Sequence, residues 1–91
     1  MAQLIAVAVR DSAAGAFNRP FFVPAVGMAL RSFEDEVRRV GTPEAPNPMN
    51  AHPSDFELYQ VGFYEEHTGA LVSIPDVVLL QRAKDVLALQ S

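Results

Sequence analysis

The sequence predicts an α+β domain: a small antiparallel sheet of two β-hairpins packed on one central helix, with a C-terminal helix. Three observations carry this expectation. Residues 3–10 and 16–23 are rich in β-branched and aromatic side chains and flank a turn at Gly15. Residues 24–40 repeat apolar side chains at steps of three and four. Residues 56–74 repeat the hairpin pattern around Gly69. The chain is a single domain of 91 residues, in which 1–74 hold the sheet and the central helix (about 24–40), and 75–91 form a C-terminal helix that serves packing or oligomerisation.

The first strand places Ile5, Val7 and Val9 on one face and Leu4, Ala6 and Ala8 on the other. Asp11 to Gly15 make the turn, and Ala16 to Val23 return. Pairing Val9 with Phe17 puts Phe21 and Val23 on the bulky face, beneath the helix. Arg10, Asn18 and Phe22 then fall on the other face, and Arg19 on the covered one. Pro20 has no N–H for a ladder, which predicts an edge or a local distortion.

The helix follows Pro24, whose fixed φ suits a first turn. Val26, Leu30, Phe33, Val37 and Val40 form its apolar stripe. Glu34 with Arg38 and Asp35 with Arg39 have the spacing of favourable ion pairs. Gly41 suits a left-handed cap, and Pro43 prevents continuation. Residues 42–53 hold four prolines and read as a loop. The second hairpin follows, with apolar residues on both faces of 56–65, as in a central strand or one bulged at Gly62. From Pro75 onward, Val77, Leu80, Ala83 and Leu87, broadened by Leu79, Val86 and Leu89, mark a helix of about fifteen residues, with strand as the alternative.

Composition narrows the function. There is no cysteine, so thiol nucleophiles, disulfides and thiolate metal sites are excluded. The two histidines lie in a loop and a turn without ligand spacing, which predicts no metal. No serine has an evident His–acid partner, and neither a phosphate-binding loop nor a dinucleotide motif occurs. The inventory therefore predicts no enzyme and no cofactor. No apolar run approaches a membrane span, and nothing resembles a signal peptide. The net charge of −4 is uneven: residues 1–41 carry five arginines against four acids, and 42–91 two cations against seven acids. Such a chain is a poor non-specific duplex binder, because phosphate contacts dominate that affinity. Single strands remain open to it, since a small sheet can stack bases on rings and hold phosphates with arginines. Arg10, Arg19, Phe22 and Tyr59 are the candidate nucleic-acid-binding residues. A chain this small with 49% hydrophobic residues also leaves apolar surface to hide, which favours a homo-oligomer, a dimer being the simplest.

The segment VAVRDSAAGAFNRPFFVPAVGMALRSFEDEV, followed by NPMNAHPSDFELYQVGFYEEHTGAL, resembles the small nonstructural protein of gokushovirus-type microviruses, which are single-stranded DNA phages. The shared features include the aromatic-Asn-Arg-Pro-Phe-Phe-Val step, Asn47-Pro48-Met49, and His52-Pro53 leading into Asp55-Phe56-Glu57-Leu58-Tyr59. The resemblance spans residues 6–72, and the tail from Pro75 lies outside it. It implies a phage protein of the host cytoplasm, absent from the mature capsid, that binds single-stranded DNA during genome replication or packaging. It supplies no binding residues. The alternative expectation is an oligomeric or scaffold-like protein-interaction module of phage assembly that does not bind DNA.

Overall fold

In the computed structural model, which describes residues 3–88, the sheet is built around β1 (Gln3–Asp11). One side of β1 pairs antiparallel with two short strands, β2 (Ala16–Phe17) and β3 (Phe21–Val23). The other side pairs with β4 (Phe56–Glu65), which in turn pairs with β5 (Ala70–Arg82) at the far edge. Both hairpin turns place glycine at positive φ, Gly15 at 67° and Gly69 at 74°. The two turns are fastened alike. The Asp11 carboxylate accepts the N–H groups of Ala13 and Ala14, and the Glu65 carboxylate accepts that of His67.

The first hairpin departs from the expected register. Phe17 lies opposite Arg10, not Val9, whereas Phe21 lies opposite Val7 and Val23 opposite Ile5. Between them, Arg19 and Pro20 occupy the space facing the single residue Ala8, a bulge that suits a proline with no N–H to offer. The consequence is that Phe17 joins Arg10 and Phe22 on one face, while Phe21 and Val23 stay on the other. Arg19 sits exposed in the bulge and not under the helix.

The helix α1 (Val26–Arg38) buries Ala29, Phe33 and Val37 against Val7, Val9 and Val23. It begins two residues after Pro24 and ends before Val40, which is exposed and not part of the stripe. Gly41 does not take a left-handed conformation. The helix end is closed instead by asparagines of the following loop. Asn47 Nδ2 donates to the carbonyls of Glu36 and Arg39, both at 2.7 Å, and Asn50 Nδ2 donates to that of Val37 at 2.9 Å. A helix end exposes such carbonyls, and that of Glu36 also accepts the Arg39 N–H at 3.2 Å. Gly41 is needed for space, because a Cβ there would press on the backbone nitrogen of Asn47. The loop itself contains a short helix, α2 (Pro48–Ala51), capped by Asn47 Oδ1, and a 3₁₀ turn at Pro53–Asp55. The expected pairs Glu34–Arg38 and Asp35–Arg39 do not form. Arg39 grips Glu36 with Nη2 at 2.7 Å and Nε at 3.1 Å, and this hydrogen bonding holds the Glu36 carboxyl below its ordinary range.

The largest correction concerns the tail. Residues 75–82, expected to open a C-terminal helix, continue β5, and only α3 (Ala83–Ala88) is helical. Leu89 and the last two residues lie outside the described residues. Val77 and Val78 are β-branched, and Val78, Leu79, Gln81 and Arg82 pair with Gln60, Tyr59, Leu58 and Glu57. This non-local pairing overrides a helical spacing of apolar residues. The core then forms between one face of the sheet and α1 with α3: Val7, Val9, Phe56 and Leu58 from the strands meet Phe33, Val37, Ala83 and Val86. Among the described residues, no helix is long and apolar enough to cross a membrane.

Candidate nucleic-acid interface

Side chains at paired positions of neighbouring strands share a face, so the register defines the sheet surface turned away from α1 and α3. On β1 and β4 the pairs are Leu4 with Tyr64, Ala6 with Gly62, Ala8 with Tyr59, and Arg10 with Glu57. Phe17 and Phe22 extend this surface from β2 and β3, opposite Arg10 and Ala6. From β5, Arg82, Leu79, Ser73 and Leu71 extend it opposite Glu57, Tyr59, Gly62 and Tyr64.

The middle of this surface is made of small residues. Ala6 and Ala8 are only 5% and 2% exposed although the helices pack on the other face. Rings on the flanking strands shield them. Phe17 meets Tyr59 edge-on, with centroids 5.5 Å apart and planes at 70°. Phe22 meets Tyr64 at 5.4 Å with planes at 46°. The two pairs are four β1 residues apart, about 13 Å along the strand. Beside Phe22 lies a shallow depression of about 200 Å³ lined by Ala6, Pro20, Gly62, Leu71 and Ser73. Its floor depends on Gly62, where a Cβ would press on the Val72 carbonyl oxygen.

The charges gather at one end. Arg82 Nε lies 3.1 Å from Glu57 Oε2, and the Tyr59 hydroxyl donates to Glu57 Oε1 at 2.9 Å. That hydrogen bond, with burial next, pushes the Tyr59 phenol above its ordinary range, while the charges of Arg10 and Arg82 oppose the shift. The side chains of Arg10 and Arg19 have no hydrogen-bond or ion-pair partner among the described residues. Arg10 and Arg82 therefore stand with Glu57 around the Phe17–Tyr59 pair, and Asp85, 4.0 Å from Arg82, brings this end close to charge balance.

Of the four residues singled out from sequence, Arg10 and Tyr59 are neighbours at this charged end, and Phe22 belongs to the second ring pair. Arg19 lies exposed in the bulge linking the strands that carry Phe17 and Phe22. Arg82 was hidden by reading residues 75–82 as helix. Phe17 was displaced by the one-residue register error, and nothing local in the sequence pairs Tyr64 with Phe22. Among the described residues, no cluster of three His, Asp or Glu side chains converges as metal ligands would.

Residues 4–86 match the model of a protein family described as Phage ORF5 protein. No curated protein and no solved structure matches the chain.

Proposed function

The chain belongs to the Phage ORF5 protein family, and on that premise we propose that it is a non-enzymatic single-stranded-DNA-binding protein of a microvirus-type phage, acting in genome replication or packaging in the host cytoplasm. The observation that carries this reading is the open sheet face, where four rings and the arginines Arg10 and Arg82 share one surface without a covering helix. Bases would stack on Phe17, Tyr59, Phe22 and Tyr64, entering over the low floor of Ala6, Ala8 and Gly62. Phosphates would be held by Arg10, Arg19 and Arg82. Stacking is sequence-tolerant because every base has a π-face, so the binding would follow strandedness and not sequence.

Fluorescence anisotropy with a labelled oligo-dT at low salt, followed by salt titration, tests the reading. Binding should weaken with salt, the logarithm of affinity falling by about 0.7 per phosphate contact per decade of salt. Replacing Arg10 and Arg19 with Glu should abolish it while circular dichroism stays unchanged. No binding at tens of micromolar protein would remove the proposal.

A second reading, a protein-contact module of phage assembly, draws on a different observation. Leu71, Val72, Val77 and Val78 of β5 are exposed apolar side chains on an edge strand. Such an edge invites a polypeptide partner, and a null result with oligo-dT would leave this reading standing.

A further inference from the structure

The charged end of the open face is a row across three strands. Arg10 of β1 lies opposite Glu57 of β4, and Glu57 lies opposite Arg82 of β5. Arg82 reaches this row through a bulge. Opposite the step from Leu58 to Tyr59, β5 gains one residue, Leu80. Arg82 therefore shares a face with Leu79, where unbroken alternation would have turned Gln81. Neighbouring strands lie about 4.8 Å apart, so the strands of the two arginines are about 10 Å apart, with one carboxylate midway.

That carboxylate is engaged through both oxygens. Glu57 Oε1 accepts the Tyr59 hydroxyl at 2.9 Å, and Oε2 accepts Arg82 Nε at 3.1 Å. Its two partners are a ring on which a base would stack and an arginine that would hold a phosphate. Asp85 holds Arg82 more loosely, with Oδ2 at 4.0 Å from Nη1. A phosphate shared by Arg10 and Arg82 would come to rest above Glu57, meet it as a like charge, and compete with it for Arg82. A base stacking on Tyr59 would meet a ring already tied through its hydroxyl.

We propose that Glu57 limits the affinity of the open face for single-stranded DNA: its carboxylate takes the place of a phosphate between Arg10 and Arg82, and a bound strand has to draw Arg82 away from it. This inference rests on the single-stranded-DNA reading given above. It adds that the acid at the centre of the site opposes binding, although it touches more of the site than any cation does. The ion pair keeps the charged end near balance until a strand arrives, so contacts with isolated anions stay weak.

Anisotropy with labelled oligo-dT tests this on the wild type, on Glu57→Gln, and on Glu44→Gln, which removes the same charge from the exposed loop after α1. An exposed ion pair shifts an equilibrium by up to about fivefold, and relief of the repulsion adds to it, so Glu57→Gln should bind about five- to tenfold more tightly. Its affinity should also fall more steeply with salt, by about 0.7 per decade, as Arg82 gains one phosphate contact. Glu44→Gln should match the wild type, and circular dichroism should be unchanged in both variants. A measurement on the wild type needs no variant to fold. The Arg82 Nε–H resonance should move on addition of oligo-dT, while that of Arg39, bonded to Glu36 on the helix side, holds still. If neither the wild type nor Glu57→Gln binds, the single-stranded-DNA reading falls and this inference with it. If Glu57→Gln binds no more tightly than the wild type, if Glu44→Gln gains as much, or if the Arg82 resonance holds still in bound protein, the reading stands and this inference alone is overturned.

Discussion

Val7 and Ala8 are adjacent on β1 and equally shielded from water, but by different means. Val7 points toward α1 and is covered by a helix whose Phe33 and Val37 share its core. Ala8 points the other way, where nothing heavier than side chains covers it. Its shield is the wall of rings standing on the neighbouring strands. The covered face is filled by bulky residues from three directions and has no room for a guest. The open face keeps its centre low and its rings at the sides. Those rings could turn to admit a flat ligand without unfolding anything, whereas the core side chains cannot move without opening the core.

Leu58 and Tyr59 separate these two roles most sharply, being consecutive residues of β4 on opposite faces. Leu58→Ala should destabilise the protein by about 2–5 kcal/mol, because it removes a fully buried side chain and leaves a cavity. Urea denaturation would read this as a lower midpoint. Tyr59→Ala should cost about 1 kcal/mol, the scale of a lost ring pair, and should weaken oligo-dT binding severely. Equal stability losses at the two positions would break the distinction between the faces.

Gly62 tests whether the open face has a fixed floor. Gly62→Ala directs a Cβ at the Val72 carbonyl, which is backbone and cannot swing aside. The expected cost is about 1–3 kcal/mol, the usual scale of overpacking, with a lower denaturation midpoint. A neutral result would mean that β4 and β5 shift freely at this point.

The smallest effect should appear at alkaline pH. The Tyr59 hydroxyl, held by Glu57, keeps its proton to a higher pH than the unfolded chain would. Its contribution is therefore intact below the unfolded phenol value of about 10 and is lost as pH rises through the raised folded value. Tyr59→Phe should lower stability slightly at neutral pH, where the bond is intact, and flatten the alkaline end of the stability profile. An identical alkaline profile in both proteins would place the hydrogen bond outside the stability balance.

How much of this was legible in the sequence follows from how local each signal is. The stripe Ala29, Phe33 and Val37 marks α1 by its own spacing, and the glycines at 15 and 69 mark their turns. Signals that depend on a distant partner were lost. Val77, Leu80, Ala83 and Leu87 have helical spacing, and only the pairing of their neighbours Val78, Leu79, Gln81 and Arg82 with β4 shows that the first two belong to a strand. The bulge at Arg19-Pro20 moved Phe17 to the other face, a slip that a period-two pattern cannot register. Asn47 and Asn50 looked like loop residues, because the carbonyls they cap lie on a helix eight to thirteen residues earlier. The candidate site was therefore half visible. Arg10 and Phe22 were assigned to one face from their own hairpin and Tyr59 was named as a candidate without a place on it, while Arg82 required the long-range fold.

The most direct test compares the two faces within one sample. In a titration of the labelled protein with oligo-dT, aromatic ring resonances are followed by NMR. The account predicts that the rings of Phe17, Phe22, Tyr59 and Tyr64 shift progressively, while those of Phe33 and Phe56 in the core hold still. Shifts confined to the α1 surface, or no shift in the four open-face rings at saturating oligo-dT, would contradict it.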